Sequence, residues 1–186
     1  MIIEGLLTTE DARGQPHIAA MGPVVDRELN QWLLRPFQTS TTFSNLRAKP
    51  NCVFHVTDDV LTIVRVVLKQ QPNLKFEKHD GVWLLPSACH WHRLAVSDWN
   101  VDQPRSEATA RRVASGQLRA FWGWNRAKHL ILEATILMTR LHLLDRETVE
   151  SQLELHRTAV EKTAGEDEFQ AWELVERYFA DSGAAT

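Results

Sequence analysis

Alternation of apolar and polar positions organises the first two thirds of this chain, and a three-and-four repeat organises the rest. Residues 2–9, IIEGLLTT, read as a first strand, with a turn over 11–15 marked by Gly14. Along 17–25, Ile18, Ala20 and Val24 fall on one side, a strand signal weakened at Gly22-Pro23. A polar turn over 26–31 precedes the apolar run 32–37, and Thr39-Ser40-Thr41-Thr42 then opens a short helix that Pro50 stops. Residues 51–57 alternate Cys52, Phe54 and Val56, a strand. Asp58 or Asp59 caps a helix with Val60, Ile63, Val64, Val67 and Leu68 on one face, broken over 70–73 at Pro72. Residues 74–77 and 82–85 predict two strands around a turn at 78–81, and 89–99 and 105–124 predict further strands.

From Asn125 the period changes. Ala127, Leu130, Ile131, Ala134, Leu137, Met138 and Leu141 repeat at three and four behind Asn125 as cap. Asp145 starts a second helix ending near Gly165, and residues 167–180 form a third ending near Gly183. The expected organisation is a mainly β part over 1–124 and a helical extension over 125–182 packed on it. Short strands joined by turns favour an antiparallel barrel over a parallel sheet.

Composition narrows the function classes. At 186 residues, 44% apolar and 24% charged, the chain suits one domain with an appendage, or a domain that works as a dimer. A net charge of −3 with no basic block gives no footprint for nucleic acid. The run 60–68 is interrupted by Arg65 and is too short to span a bilayer, and MIIEGLLTTED lacks the basic region of a signal peptide. Two cysteines, Cys52 and Cys89, are too few for a disulfide framework, so a cytoplasmic location is expected. Five of seven tryptophans, Trp83, Trp91, Trp99, Trp122 and Trp124, crowd one third of the chain, as pocket walls, interface residues or plain core.

Dinucleotide, P-loop, serine-hydrolase and zinc-protease signatures are absent. The hydroxyl-rich turn admits two readings. Ser40 or Thr41 caps the helix, or the four hydroxyls, the free N–H groups and the helix dipole cradle an anion with Arg35 as its charge partner. His90 and His92 would face one side of a strand, with His55 and His79 scattered elsewhere, a set better read as structural than as a metal site. Arg126 and Lys128 sit where a helix dipole disfavours cations, which hints at a nearby anion or at plain solvated charge.

The segments AAMGPV, LRPF, TSTTFSNL and CVFHVTDD, with the later run WGWNRAKHLILEATILMTRLHLL, resemble the split-barrel proteins that bind flavin mononucleotide (FMN). More narrowly, the chain is similar to an archaeal and bacterial family with the flavin reductase-like form of that barrel and a helical tail. The resemblance covers nearly the whole chain. It implies a six-stranded antiparallel split β-barrel of Greek-key type, a homodimer, and one FMN per subunit near the subunit interface. Carried onto this chain, the phosphate ligands would be Arg35, Thr39, Ser40, Thr41, Thr42 and Asn45. The ring would lie along the strand at Ala20, Met21 and Gly22, with His17 at the entry and Met21 open to a plain core role. The implied activity is an oxidoreductase exchanging hydride or electrons between a reduced nicotinamide or deazaflavin donor and a small substrate. The rivals are a non-catalytic flavin carrier or sensor acting through its helical tail, and a flavin-free interaction protein.

Overall fold

The computed structural model describes residues 1–70, 74–102 and 105–183. The chain forms two compact units, one from Met1–Thr57 with Asn73–Phe121 and one from Asp58–Pro72 with Trp122–Thr186. The fold is a split β-barrel with C-terminal helices: a curled antiparallel sheet in the first unit and helices in the second.

The sheet unit begins with β1 (Gly5–Glu10), β2 (Pro16–Met21), β3 (Val24–Val25), β4 (Gln31–Leu34) and β5 (Asn51–Val56), with the helix α1 (Thr41–Ala48) between β4 and β5. A hairpin, β6 (Glu77–His79) and β7 (Val82–Leu84), precedes the long pair β8 (His90–Asn100) and β9 (Glu107–Gln117). The large sheet runs β2-β1-β5-β8-β9-β4-β3. Its two outermost strands are halves of one stretch of chain. Gly5 pairs with Met21 and Ile2 with Val24 in one continuous register across the Gly22-Pro23 break. The far half then also pairs with β4, Val24 against Leu33 and Val25 against Trp32. Counting 16–25 as one strand, six strands close on themselves, and a Pro that cannot donate is tolerated at the break.

The inner face carries Leu7, Val25, Trp32, Leu34, Cys52, Phe54, Leu94, Ala108 and Ala110, with Leu46 of α1 packed among them. Large side chains meet small ones across β4 and β9: Trp32 faces Ala110 and Leu34 faces Ala108. That pairing lets both strands approach without voids, and each fully buried large side chain contributes about 1.5–3 kcal/mol. Gly5 is required, since a Cβ there would lie 2.5 Å from the His55 carbonyl oxygen and 2.6 Å from the Phe54 ring.

The helical unit holds α2 (Val60–Val67), α3 (Arg126–Met138), α4 (Arg146–Thr163) and α5 (Glu166–Ser182). Asp59, Asn125 and Asp145 cap α2, α3 and α4 by accepting from Thr62, Lys128 and Thr148 N–H. The apolar stripe of α2, including Val60, Val64 and Leu68, packs with Ile131, Ala134, Val149, Trp172 and Val175. Two expectations change, and a third goes untested. Residues 74–76 are not strand, and β6 begins at Glu77. The strand expected over 105–124 is β9 alone, because pairing with β8 ends at His90 opposite Gln117. The break expected at Pro72 lies outside the described residues.

His55 shows how β6–β7 is held to the barrel. Its ring is fully buried, Nε2 accepts the Leu85 N–H at 3.0 Å, and Nδ1 lies 3.5 Å from Thr8 Oγ1. Burial pushes its pKa down to about 4, a Leu6 backbone hydrogen bond opposes that, and His92 adds to it. The unfolded chain takes up this proton near pH 6.5 and the folded chain only near 4. Stability is therefore full above pH 6.5 and falls by on the order of 3 kcal/mol as pH drops to 4. Urea unfolding at pH 7 and pH 4.5, with an NMR titration of the imidazole, checks this; a His55 that titrates near 6.5 refutes it.

Candidate functional site

The helix α1 opens from a turn built by the β4 exit. Ser40 is the N-cap: its Oγ accepts the Phe43 N–H at 3.2 Å and donates to the Phe37 carbonyl at 2.6 Å. Ser40 N–H also donates to that carbonyl, at 2.9 Å. Asn45 is buried and donates through Nδ2 to Thr9 Oγ1 at 3.0 Å, tying α1 to β1. These two expected phosphate ligands are thus engaged within the fold.

The other expected ligands are less occupied. Thr39 and Thr41 are exposed, Thr42 is buried, and none of the three hydroxyls has a hydrogen bond among the described residues. Capping consumes the Phe43 N–H and leaves those of Thr41 and Thr42 at the positive end of the helix. Arg35 makes no ion pair or hydrogen bond among the described residues. From Arg35 to Thr57 the chain carries no Asp or Glu.

The start of β9 contributes to the same place. Ser106, fully buried, donates through both Oγ (2.8 Å) and N–H (3.2 Å) to the Pro36 carbonyl. Gln38 Nε2 donates to the Val101 carbonyl at 2.8 Å. Arg105 bridges to Phe37 through the backbone and sets its guanidinium 4.3 Å from the Phe37 ring centre. Trp99 lies edge-on to Phe43 at 5.2 Å, with Arg47 5.5 Å over its ring. Sequence reading missed Arg105 and Phe37 as site residues, and it named Trp99 only as one of several possible pocket walls. The register of β8 with β9 brings them in, and no local pattern announces it.

The strand expected to carry a flat ring is divided. Ala20 is exposed opposite Leu6, whereas Met21 is half-buried against the inner core, which favours its plain core role. A Cβ on Gly22 would meet the Glu4 carboxylate at 2.7 Å. His17, half-buried opposite Thr9, is held below its ordinary pKa by burial, with Asp11 opposing.

The remaining candidates have structural settings. His90 and His92 share the inner face of β8, but His92 packs 5.3 Å from Trp32, with burial first and then Arg112 and His90 lowering its pKa to about 4. Among the described residues no three His, Cys, Asp or Glu side chains gather as metal ligands. Lys128 finds its anion in Glu168, 3.6 Å away, whose other oxygen accepts the Gly165 N–H. Trp91 lies over Gly116, where a Cβ would come within 2.7 Å of its indole nitrogen, while Trp122 and Trp124 are each 86% exposed. A cavity of about 230 Å³ beside β1 is walled by Trp83, Lys49 and Arg93, with Glu10 paired to Lys49 at 2.6 Å and Lys78 at 3.2 Å.

Comparison with known proteins matches residues 3–119 to the N-terminal domain, and residues 125–177 to the C-terminal part, of the family described as protein of unknown function DUF447. A search of curated proteins returned no match. Among solved structures, an FMN-bound DUF447 protein of Methanosarcina mazei is similar at TM-score 0.81 and 22% identity, over 95% of this chain and 94% of that one. The flavin reductase HpaC complexed with NADP+ aligns at 0.56 and 11% identity, over 67% and 82%. The styrene monooxygenase flavin reductase of Pseudomonas putida aligns at 0.53 and 14%, over 62% and 81%. No helix among the described residues is long and apolar enough to cross a membrane.

Ser40 and Thr41 separate capping from ligand contact. Ser40→Ala should cost about 1 kcal/mol of stability, the usual loss for a cap, and Thr41→Ala less than about 0.5. Thermal and urea unfolding of both variants check this, and equal losses would contradict the assignment.

Proposed function

The chain belongs to the DUF447 family, and from that premise we propose that its sheet unit binds FMN, with the phosphate at the hydroxyl turn. The observation that carries the reading is a set of donors without acceptors. The Thr39, Thr41 and Thr42 hydroxyls, two N–H groups at the start of α1 and the Arg35 guanidinium meet no carboxylate among the described residues. Such a set suits a dianion, because hydroxyls and N–H groups supply short donors and a guanidinium supplies charge. Support comes also from the M. mazei relative, which is FMN-bound and shares the fold over nearly its whole length. Within the expected ligand set, Ser40 also caps α1 and Asn45 also tethers it to β1.

The activity that fits is a flavin-dependent oxidoreductase taking hydride from a reduced nicotinamide or deazaflavin donor. Bound flavin supplies the hydride and electron chemistry, while the chain's residues hold it and limit access. The flavin reductases among the structural neighbours, one of them complexed with NADP+, support this class. Two buried cysteines without a disulfide suit a reducing cytoplasm.

A second reading has its own observation. Trp122 and Trp124 at 86% exposure, with Leu143 and Leu155 at 71%, give the helical unit apolar surface of the kind that marks interfaces. It favours assembly, as a homodimer or as a flavin-binding module that docks a partner. Sedimentation of the purified chain, followed by assay of flavin turnover with NADH and NADPH, separates an enzyme from a module.

Purified protein should show flavin absorbance that survives addition of FMN and desalting. Arg35→Ala or Thr41→Ala should weaken retention by about 10- to 100-fold, the loss expected for one charge-assisted contact, with an unchanged circular dichroism spectrum. A folded, colourless protein that refuses added FMN would overturn the reading.

A further inference from the structure

We infer that Arg105, rather than Arg35 alone, is the residue that makes this site select a phosphorylated flavin; the inference rests on the FMN reading above. Phe37 is half exposed directly before the hydroxyl turn, and the Arg105 guanidinium lies 4.3 Å from its ring centre. A guanidinium held over a ring face by cation–π attraction keeps its N–H donors available to an anion. No hydrogen bond or ion pair engages those donors among the described residues.

The platform is built into the fold. Pro36, Phe37 and Gln38 are each joined to the β8–β9 hairpin, through Ser106 to the Pro36 carbonyl, the Phe37–Arg105 bridge and Gln38 to the Val101 carbonyl. The Phe37 carbonyl is in turn gripped by Ser40, the cap of α1. One short run of chain thus carries a ring-supported guanidinium at Phe37 and reaches the open start of α1 four residues later. Arg35 lacks such a platform. Trp32 and Leu34 point into the barrel, so Arg35 leaves β4 on the opposite face, and among the described residues no ring stacks with it. An oriented fork loses less freedom on binding a phosphate than an unsupported one.

The predicted signature is discrimination between FMN and riboflavin, which differ by the phosphate. Titrating either flavin into the full-length protein and following flavin fluorescence yields both affinities. Arg105→Gln should weaken FMN by about 10- to 100-fold while leaving riboflavin within about twofold. Arg105→Lys, which keeps charge without the planar fork, and Phe37→Leu, which removes the platform, should each give a smaller loss confined to FMN. Equal losses for FMN and riboflavin would mean that Arg105 acts only structurally, and the inference falls. Unchanged FMN affinity in Arg105→Gln, with loss in Arg35→Ala, also overturns it and leaves the FMN reading intact. Wild-type protein that binds neither flavin overturns the FMN reading itself.

Discussion

The sheet unit depends on one stretch of chain hydrogen-bonding on two sides. Residues 16–25 pair with β1 along their length and, at their far end, with β4. Closure removes the two free edges that an open sheet would offer to other chains. It also forces the inner side chains into one space, where size must be matched across strands. Ala108 and Ala110 are small because Leu34 and Trp32 are large, and Gly5 has no side chain because the Phe54 ring lies where its Cβ would be. The same closure sets β4 antiparallel to β9, so the exit of β4 emerges beside the start of β9. The candidate site stands at that exit.

Capping and anion binding at the hydroxyl turn are compatible once the donors are counted individually. A helix start exposes several N–H groups, and one side-chain oxygen satisfies one of them. Ser40 takes the Phe43 N–H and anchors itself to the Phe37 carbonyl, which stiffens the turn without consuming its remaining donors. Asn45 contributes similarly from one turn further on, by fixing α1 to Thr9. The turn is therefore preorganised by two of its polar residues and left open by three others.

What was legible in the sequence followed from local rules. The caps Asn125 and Asp145, the three-and-four repeat of α3 and the alternation in 51–57 each rest on residues a few positions apart. The start of α1 was legible for the same reason. Illegible features depended on partners far along the chain. The end of β9 at Gln117 is set by where β8 begins, and nothing in residues 118–124 records that. Arg105 reaches Phe37 across 68 positions, through a register that includes bulges at 93/94 and 96/98. Asn45 was named a ligand through the family resemblance; its bond to Thr9, set by the packing of α1 on β1, had no local signal. Pairing of α2 with the tail helices was likewise hidden, since an amphipathic stripe states that it is buried but not against what.

The starts of α1 and α3 both have cations near a positive dipole end, and they resolve that conflict differently. At α3, Lys128 meets Glu168, a carboxylate brought from α5, so that charge is paired within the helical unit. At α1, Arg35 lies six positions before the start and Arg105 stands over Phe37, four positions before it, and the 23 residues from Arg35 to Thr57 contain no acid. No ion pair to either arginine forms among the described residues. Concentrating positive charge and free donors costs stability unless solvent or a bound anion relieves it. The hint of an anion that the sequence raised at Arg126 and Lys128 is met internally for Lys128. The same physical argument, moved to α1, points outward to a ligand.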